Sequence, residues 1–201
     1  EASGLGAPAA RIEVQLDSWP PPDAQLQRWH LDADQLLGST PAASTGSVPW
    51  QVDAEAHDVT FLAGGYSSTA PLWDLNWTTF ADENRAEWLS APLTADTVFA
   101  GPGVAELWLR SPVDDADVQV TLTEVRPDDT EVWVQSGWLR LSHRAATSDD
   151  GIRLDRTFAK ADRMPVPIDT WVRADVQLAS LAHPVRAGSR LRVVVSSPGR
   201  D

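Results

Sequence analysis

One serine in the sequence lies in a context close to that of an activated nucleophile. Residues 65–69 read G-Y-S-S-T, which departs from the G-x-S-x-G pattern at its fifth position, Thr69. In that pattern the serine stands on a tight turn between a strand and a helix, and a histidine and an acid activate it. The neighbouring residues predict neither that strand nor that helix. We therefore interpret Ser67 as part of a polar loop and expect no catalytic residue in this chain.

The remaining candidates for acid–base or metal chemistry are histidines and acidic clusters. The sequence has four histidines: His30, His57, His143 and His183. No two of them have the spacing of a zinc site, and we expect His30 and His143 to pack within or beside strands. The acidic runs at residues 53–58 and 114–117 contain oxygen ligands that suit calcium, but they lack EF-hand spacing. We interpret both runs as solvated turns, and we expect neither a bound metal nor a cofactor.

Charge and cysteine content exclude several further classes. The chain has 29 acidic against 16 basic residues, a net charge of −13. That charge opposes binding to nucleic acid and to anionic membranes, both of which select Lys and Arg. No apolar stretch is long enough to span a membrane. The sequence has no cysteine, which suits a reducing compartment, and it shows no signal peptide. We expect a cytoplasmic protein.

The elements that must position any site are β-strands, because apolar and polar residues alternate along most of the chain. Such period-two runs bury one face and wet the other, as in antiparallel sheets. They predict strands at residues 12–16, 105–110, 117–122, 131–135, 138–141, 172–178 and 190–195. Residues 126–130 (R-P-D-D-T) predict a hairpin turn between two of these strands.

The segments between the strands predict loops. Residues 36–51 and 144–155 read as loops, and the best helix candidate is the short acidic segment Phe80 to Leu89. None of these divides the chain, so we expect residues 1–201 to form a single all-β sandwich, either a jelly roll or an immunoglobulin-like fold. The chain has no initiator methionine and stops just beyond its last predicted strand. We therefore expect a piece of a larger protein that lacks its final strand.

Tryptophan is used heavily, with ten residues against one tyrosine and four phenylalanines. Trp108, Trp133 and Trp138 fall on the polar side of their predicted strands. Loops or another domain are expected to cover such large apolar rings. The alternative is a platform for carbohydrate, since indole faces stack on sugar rings.

The second half of the sequence carries a series of short motifs in a fixed order. They include S-x-P-L at residues 90–93, D-A-D at 115–117, G-x-L-R at 137–140 and H-x-x-x-A-G-x-R-L at 183–191. Together they resemble the C-terminal domain of the X-prolyl dipeptidyl peptidase and cocaine esterase group, the CocE/NonD serine hydrolases. The resemblance covers about residues 50 to 201 well and the first 50 weakly.

The resemblance implies a galactose-binding-like jelly roll that follows an α/β-hydrolase domain with a helical cap. In that family the triad lies on the hydrolase domain, so no catalytic residue is carried over to this chain. The expected function is a non-catalytic domain with a structural and docking role, whose partners are the α/β-hydrolase and cap domains of its own chain. The aromatic segment 66–89 is expected either to fold back over the chain's own core or to dock on the hydrolase domain, with Trp73, Trp77 and Trp88 as the anchors of that docking. The alternative is a free-standing carbohydrate-binding module of the same fold.

Overall fold

The regular structure of the chain is almost entirely β. The computed structural model describes residues 15–42, 45–52, 82–149 and 151–198. Ten strands occur in these residues: β1 (His30–Leu31), β2 (Leu36–Gly38), β3 (Arg85–Ser90), β4 (Thr97–Leu109), β5 (Asp117–Val125), β6 (Glu131–Arg140), β7 (Ser148–Asp149), β8 (Leu154–Asp155), β9 (Val172–Val185) and β10 (Arg190–Ser196). The helical segments of the described residues are short 3₁₀ turns at Asp82–Asn84, Leu141–His143 and Lys160–Asp162.

Six strands form the larger sheet, in the order β1-β2-β3-β10-β5-β6. The last strand in the sequence, β10, lies at the centre of this sheet, where it pairs antiparallel with both β3 and β5. The β2–β3 pair is parallel and the other pairs of this sheet are antiparallel. Neighbouring strands that are distant in sequence are typical of β-sandwiches with Greek-key or jelly-roll connections.

The second layer is the long antiparallel pair of β4 and β9. Its register shifts between Gly101 and Gly103, a β-bulge that bends the strands. Residues of both layers share one buried cluster, which includes Val120, Leu191 and Val195 of the larger sheet and Ala174 and Val176 of β9. Each buried valine or leucine stabilises the fold by roughly 1.5–3 kcal/mol relative to an exposed side chain. The all-β sandwich predicted from the sequence is therefore confirmed.

The predicted turn at residues 126–130 is also confirmed. β5 and β6 pair on either side of it, and the Arg126 N–H donates to the Thr130 carbonyl at 2.9 Å. Asp129, with φ of 63°, takes the left-handed conformation that such a turn needs.

Two predictions about local structure are wrong. The segment Phe80 to Leu89 is not a helix over residues 85–89, because Arg85–Ser90 is strand β3. Ala86, Trp88 and Ser90 alternate and are buried, so this segment does have the period-two pattern of a strand, over only six residues. The prediction of two uninterrupted loops is also wrong, since residues 36–51 begin with β2 and residues 144–155 contain β7 and β8.

Candidate docking surface

The residues first considered for catalysis do not come together in the described part of the chain. Ser67 and His57 lie outside the described residues. His30 is in β1, His143 is in the 3₁₀ turn after β6, and His183 is near the end of β9. Among the described residues, no group of three or more His, Asp or Glu side chains is arranged to hold a metal ion. Nor does any helix there have the length and apolar character to cross a membrane.

His183 does have an acidic partner, which the sequence analysis did not identify. Its Nε2 lies 3.0 Å from Oε2 of Glu124, whose side chain is fully buried. Burial raises the pKa of Glu124. The pKa of Glu124 nevertheless lies below its usual range. It is lowered by the hydrogen bond from His183, by the Ser189 hydroxyl and by the nearby charges of His183 and Arg126, and these effects together exceed that of burial. Ser189 is also completely buried. Because no substrate reaches it and both it and His183 face Glu124, this cluster joins the sheets and is not a catalytic triad.

Of the three tryptophans predicted to dock on another domain, the described residues include Trp88. Its ring lies in the core at 8% exposure. Its indole N–H donates to the Asp32 carbonyl at 2.7 Å. Trp88 thus packs against its own chain, which is a structural role. Trp73 and Trp77 lie outside the described residues, so their docking role stays a prediction.

Two other tryptophans are exposed on the outer face of the β4–β9 pair. Trp108 is 65% exposed and Trp171, immediately before β9, is 46% exposed. Trp108 lies directly across the pair from Arg173. The Arg110 guanidinium carbon lies 5.3 Å from the centre of the Trp171 ring, within the range of a cation–π contact. Two indoles and two arginines therefore alternate on this face.

The apolar surface continues onto the loops at this end of the pair. The Asp169 N–H donates to the Ser111 carbonyl at 2.8 Å, which holds the two loops together. Val113 on one loop and Ile168 on the other are both exposed. We define the docking face as Trp108, Arg110, Val113, Ile168 and Trp171. Apolar side chains exposed on neighbouring strands and loops are a mark of interaction sites when they form one patch.

The opposite end of the sandwich also carries exposed ion pairs. Arg186 Nη1 lies 2.6 Å from Asp96 Oδ2, and Arg190 Nη2 lies 3.3 Å from Asp129 Oδ1. Such exposed pairs are hydrated and gain little from being covered. The Trp108 end has such a pair as well, with Arg140 Nη2 2.6 Å from Asp117 Oδ2, so what sets that end apart is the exposed apolar side chains of the docking face.

The outer face of the larger sheet also carries indoles, but there they are tied into a polar network. The Trp138 N–H donates to Gln119 Oε1 at 3.0 Å, and the Trp133 N–H donates to Ser136 Oγ at 2.9 Å. Thr121 links the two halves, since its Oγ1 lies 3.0 Å from both Gln119 Nε2 and Ser136 Oγ. Trp138 is exposed, while the linking residues are buried.

The alternation in the sequence predicts Trp108 on a polar strand face, whereas Trp171 is not among the predicted site residues. The signal was available, because Trp171 falls in the polar phase of the predicted strand 172–178, in step with Arg173. Val113 and Ile168 lie in irregular loops, and no local pattern marks them.

Comparison with known families shows one match that covers nearly the whole chain. Residues 4–201 match the family described as the X-Pro dipeptidyl-peptidase C-terminal non-catalytic domain. Comparison with curated proteins found no match.

Several solved structures have a similar fold. A CocE/NonD family hydrolase from Staphylococcus aureus superposes with a TM-score of 0.70 and 17% identity, over 91% of this chain and 30% of its own. An aminopeptidase from a marine sediment archaeon, Thaumarchaeota archaeon, gives a TM-score of 0.69 and 21% identity, over 92% and 31%. An alpha-amino acid ester hydrolase gives 0.65 and 19%, over 87% and 30%. The chain thus spans about three tenths of the length of these structures.

Proposed function

The chain belongs to the family of X-Pro dipeptidyl-peptidase C-terminal non-catalytic domains, and from that premise we propose that it docks on a hydrolase domain of the same protein. In this proposal residues 1–201 are one domain with a structural role. The observation that carries the proposal is the docking face, where Trp108 and Trp171 are exposed beside Arg110.

The composition of the docking face supports a protein partner. Aromatic residues and arginine are enriched at protein interfaces and supply most of the binding energy where they are desolvated. The face also carries a cation, Arg110, on a chain whose net charge is −13, whereas the neighbouring Arg173 is paired with Asp175 at 2.8 Å. We therefore expect the partner surface to be apolar at its centre with carboxylates at its rim.

The docking face ends at the next outward-facing pair of residues on β4 and β9, Glu106 and Asp175. Glu106, across from Asp175, is paired with Arg28 of the N-terminal segment, with Arg28 Nη1 and Glu106 Oε1 3.2 Å apart. Arg28 thus lies over that row, and the free apolar surface begins at Trp108.

The similar structures support a hydrolase as the whole protein. Their names are those of a CocE/NonD family hydrolase, an aminopeptidase and an alpha-amino acid ester hydrolase. We propose that the parent protein cleaves an ester or amide bond with a serine nucleophile that lies on its hydrolase domain. In this proposal the domain described here contributes to the assembly and not to bond cleavage. Trp73 and Trp77 are further candidates for contact with the hydrolase domain.

The experiment is a binding measurement between this chain and the separately expressed hydrolase domain of its parent. Trp108→Ala and Trp171→Ala should each weaken association by about thirtyfold, because central aromatic anchors contribute roughly 2 kcal/mol or more. Trp138→Ala is the matched control, since Trp138 is also an exposed strand tryptophan but lies on the other sheet. Circular dichroism checks that all three variants fold. Association that is insensitive to Trp108 and Trp171, or equally sensitive to Trp138, contradicts the docking face.

A further inference from the structure

A pocket separate from the docking face lies beside the turn that follows β6. Its volume is about 270 Å³. One wall is the segment around His143, and the other is the segment that contains Phe158, Asp162 and Arg163. Three alanines and Met164 contribute the apolar part of the lining. The size suits one ring and a short substituent, somewhat below the ~300 Å³ at which ligand pockets usually begin.

Two partly buried arginines, Arg144 and Arg156, hold the walls in place. Arg156 donates to the Arg144 carbonyl at 3.2 Å and to the Asp175 carbonyl of β9 at 2.6 Å. Arg144 in turn donates to the Leu141 carbonyl at 3.0 Å and to the Met164 carbonyl at 2.8 Å. Because each guanidinium bridges two segments, the pocket is held open by the fold and is not a gap between independent loops.

Phe158 has a backbone conformation that a phenylalanine rarely adopts. Its φ is 51°, in the left-handed region, where bulky residues are strained. The Thr157 hydroxyl donates to Asp162 and accepts from the Ala159 N–H, which fixes the turn around it. The result is a ring that is 60% exposed and lies 5.9 Å from the His143 ring, centre to centre. A strained residue that presents an apolar ring to a pocket is typical of a ligand site.

Arg163 places a cation at the rim of the pocket, and its ion pair with Asp115 is long. Its Nη2 lies 3.4 Å from Asp115 Oδ2, and its side chain is about half exposed. Asp115 already accepts hydrogen bonds from the Ser142 N–H at 2.9 Å and the Ser142 hydroxyl at 2.8 Å. Since Ser142 satisfies that carboxylate, Arg163 can turn toward another anion at little cost.

We propose that this pocket binds a small aromatic carboxylate. The ligand ring lies on Phe158 and the alanines, and the carboxylate pairs with Arg163 at the rim. His143 is a further polar group of the lining. The lining suits a ligand with one aromatic ring and one anionic group. Its charged residues are two cations, Arg156 and Arg163, and one anion, Asp162. This inference does not depend on the proposed docking function, because none of the residues of the docking face lines the pocket.

The test is a titration of the 201-residue chain with 3-phenylpropionate, followed by amide NMR shifts. A fragment of this size should bind with a Kd of about 1 mM, with shifts at residues 143–163. The neutral 3-phenylpropionamide should bind about tenfold more weakly, because it cannot form the charge-assisted pair. Arg163→Gln should lose the same factor. Lys160→Gln is the control, since Lys160 is on the same turn but does not line the pocket.

Phe158→Asn separates a role in binding from a role in folding. Asparagine tolerates positive φ better than phenylalanine, so this variant should have a Tm equal to or above that of the wild type while losing ligand affinity. A wild-type chain that shows no saturable shifts up to about 20 mM overturns the proposal. Equal binding of acid and amide, or equal losses in Arg163→Gln and Lys160→Gln, also overturns it.

Discussion

His183 and Glu124 join the two layers of the sandwich at one end of the core. The imidazole comes from β9 and the carboxylate from β5, and Nε2 and Oε2 are 3.0 Å apart. Arg126 Nε lies 3.9 Å from the same carboxylate oxygen. A carboxylate that is fully buried at such a position must be compensated, and its two basic neighbours provide the compensation.

Glu124→Gln should therefore destabilise the fold at neutral pH by about 2 kcal/mol, because it leaves His183 and Arg126 beside a neutral amide. The measurement is the free energy of unfolding from urea denaturation. Asp96→Asn is the control, since it removes the exposed pair with Arg186 and should leave the urea midpoint nearly unchanged. Equal effects of the two variants would contradict the role assigned to Glu124.

The same pair predicts a pH dependence of stability. The pKa of Glu124 is lowered in the folded chain from its ordinary value of 4.5. The folded state therefore favours the ionised form, and this stabilisation is present above pH 4.5 and is lost as the pH falls through the lowered folded pKa. The stability difference between the wild type and Glu124→Gln should shrink across that acidic range. A difference that is constant from neutral to acidic pH would rule out the mechanism.

Among the tryptophans in strands, we expect substitution of Trp88 to lower the free energy of unfolding most. Trp88→Phe keeps most of the buried ring but removes the donor to the Asp32 carbonyl, 2.7 Å away. Leaving that carbonyl without its partner should cost about 1–2 kcal/mol. Trp108→Phe, at an exposed position, should change the free energy of unfolding by less than about 0.5 kcal/mol. Urea denaturation of both variants makes the comparison, and the reverse order of effects would be inconsistent with the burial.

The sequence was sufficient to predict strands in which most residues alternate, such as residues 117–122 of β5 and 190–195 of β10. It predicted only the last part of β4, from residue 105, because the bulge between Gly101 and Gly103 interrupts the alternation. It placed the end of β9 at residue 178, whereas the strand continues to Val185. Apart from Leu181, the residues from 179 to 184 are small, polar or proline, and they have no clear period. Local pattern thus fails where the strand is bent or lies at the margin of the core.

The site was less predictable than the fold, and the reason is physical. Glu124 and His183 are 59 residues apart, and only the packing of the two sheets brings them together. The pocket depends on Phe158, whose left-handed backbone no propensity indicates. The period-two pattern did place Trp108 on the face away from the core, where it is exposed.

Simple sugars are expected not to bind to the tryptophans of the larger sheet. A carbohydrate site needs polar groups beside the aromatic ring that are free to pair with hydroxyls. Here the polar groups next to Trp138 and Trp133 already bond to each other through Gln119, Thr121 and Ser136. Calorimetric titration with a panel of oligosaccharides should give no isotherm at millimolar concentrations. Binding that Trp138→Ala abolishes would instead favour a carbohydrate-binding module.

Gly137 is expected to be the glycine least tolerant of a side chain among those in the described strands. It lies in β6 where that strand crosses β9, and a Cβ placed on it would come 2.1 Å from the Gln177 carbonyl oxygen and 2.9 Å from the carbonyl carbon. These are backbone atoms of a paired strand, so they cannot move aside as a side chain does. Gly137→Ala should therefore separate the two layers locally and lower the free energy of unfolding by about 3 kcal/mol, at the upper end of overpacking effects.

Gly103→Ala provides the matched control on β4, because its Cβ would meet Leu178 Cδ1 at 3.5 Å, an ordinary contact. That variant should change the free energy of unfolding by less than about 1 kcal/mol. The contrast isolates the close approach of β6 to β9, since both substitutions add the same methyl group within a strand. The Gln177 side chain ties β9 to β4 and β8, as its amide donates to the Gly103 carbonyl at 2.7 Å and its Oε1 accepts from the Leu154 N–H at 2.8 Å. Equal tolerance of alanine at residues 137 and 103 would mean that the layers are farther apart at this crossing than the structure places them.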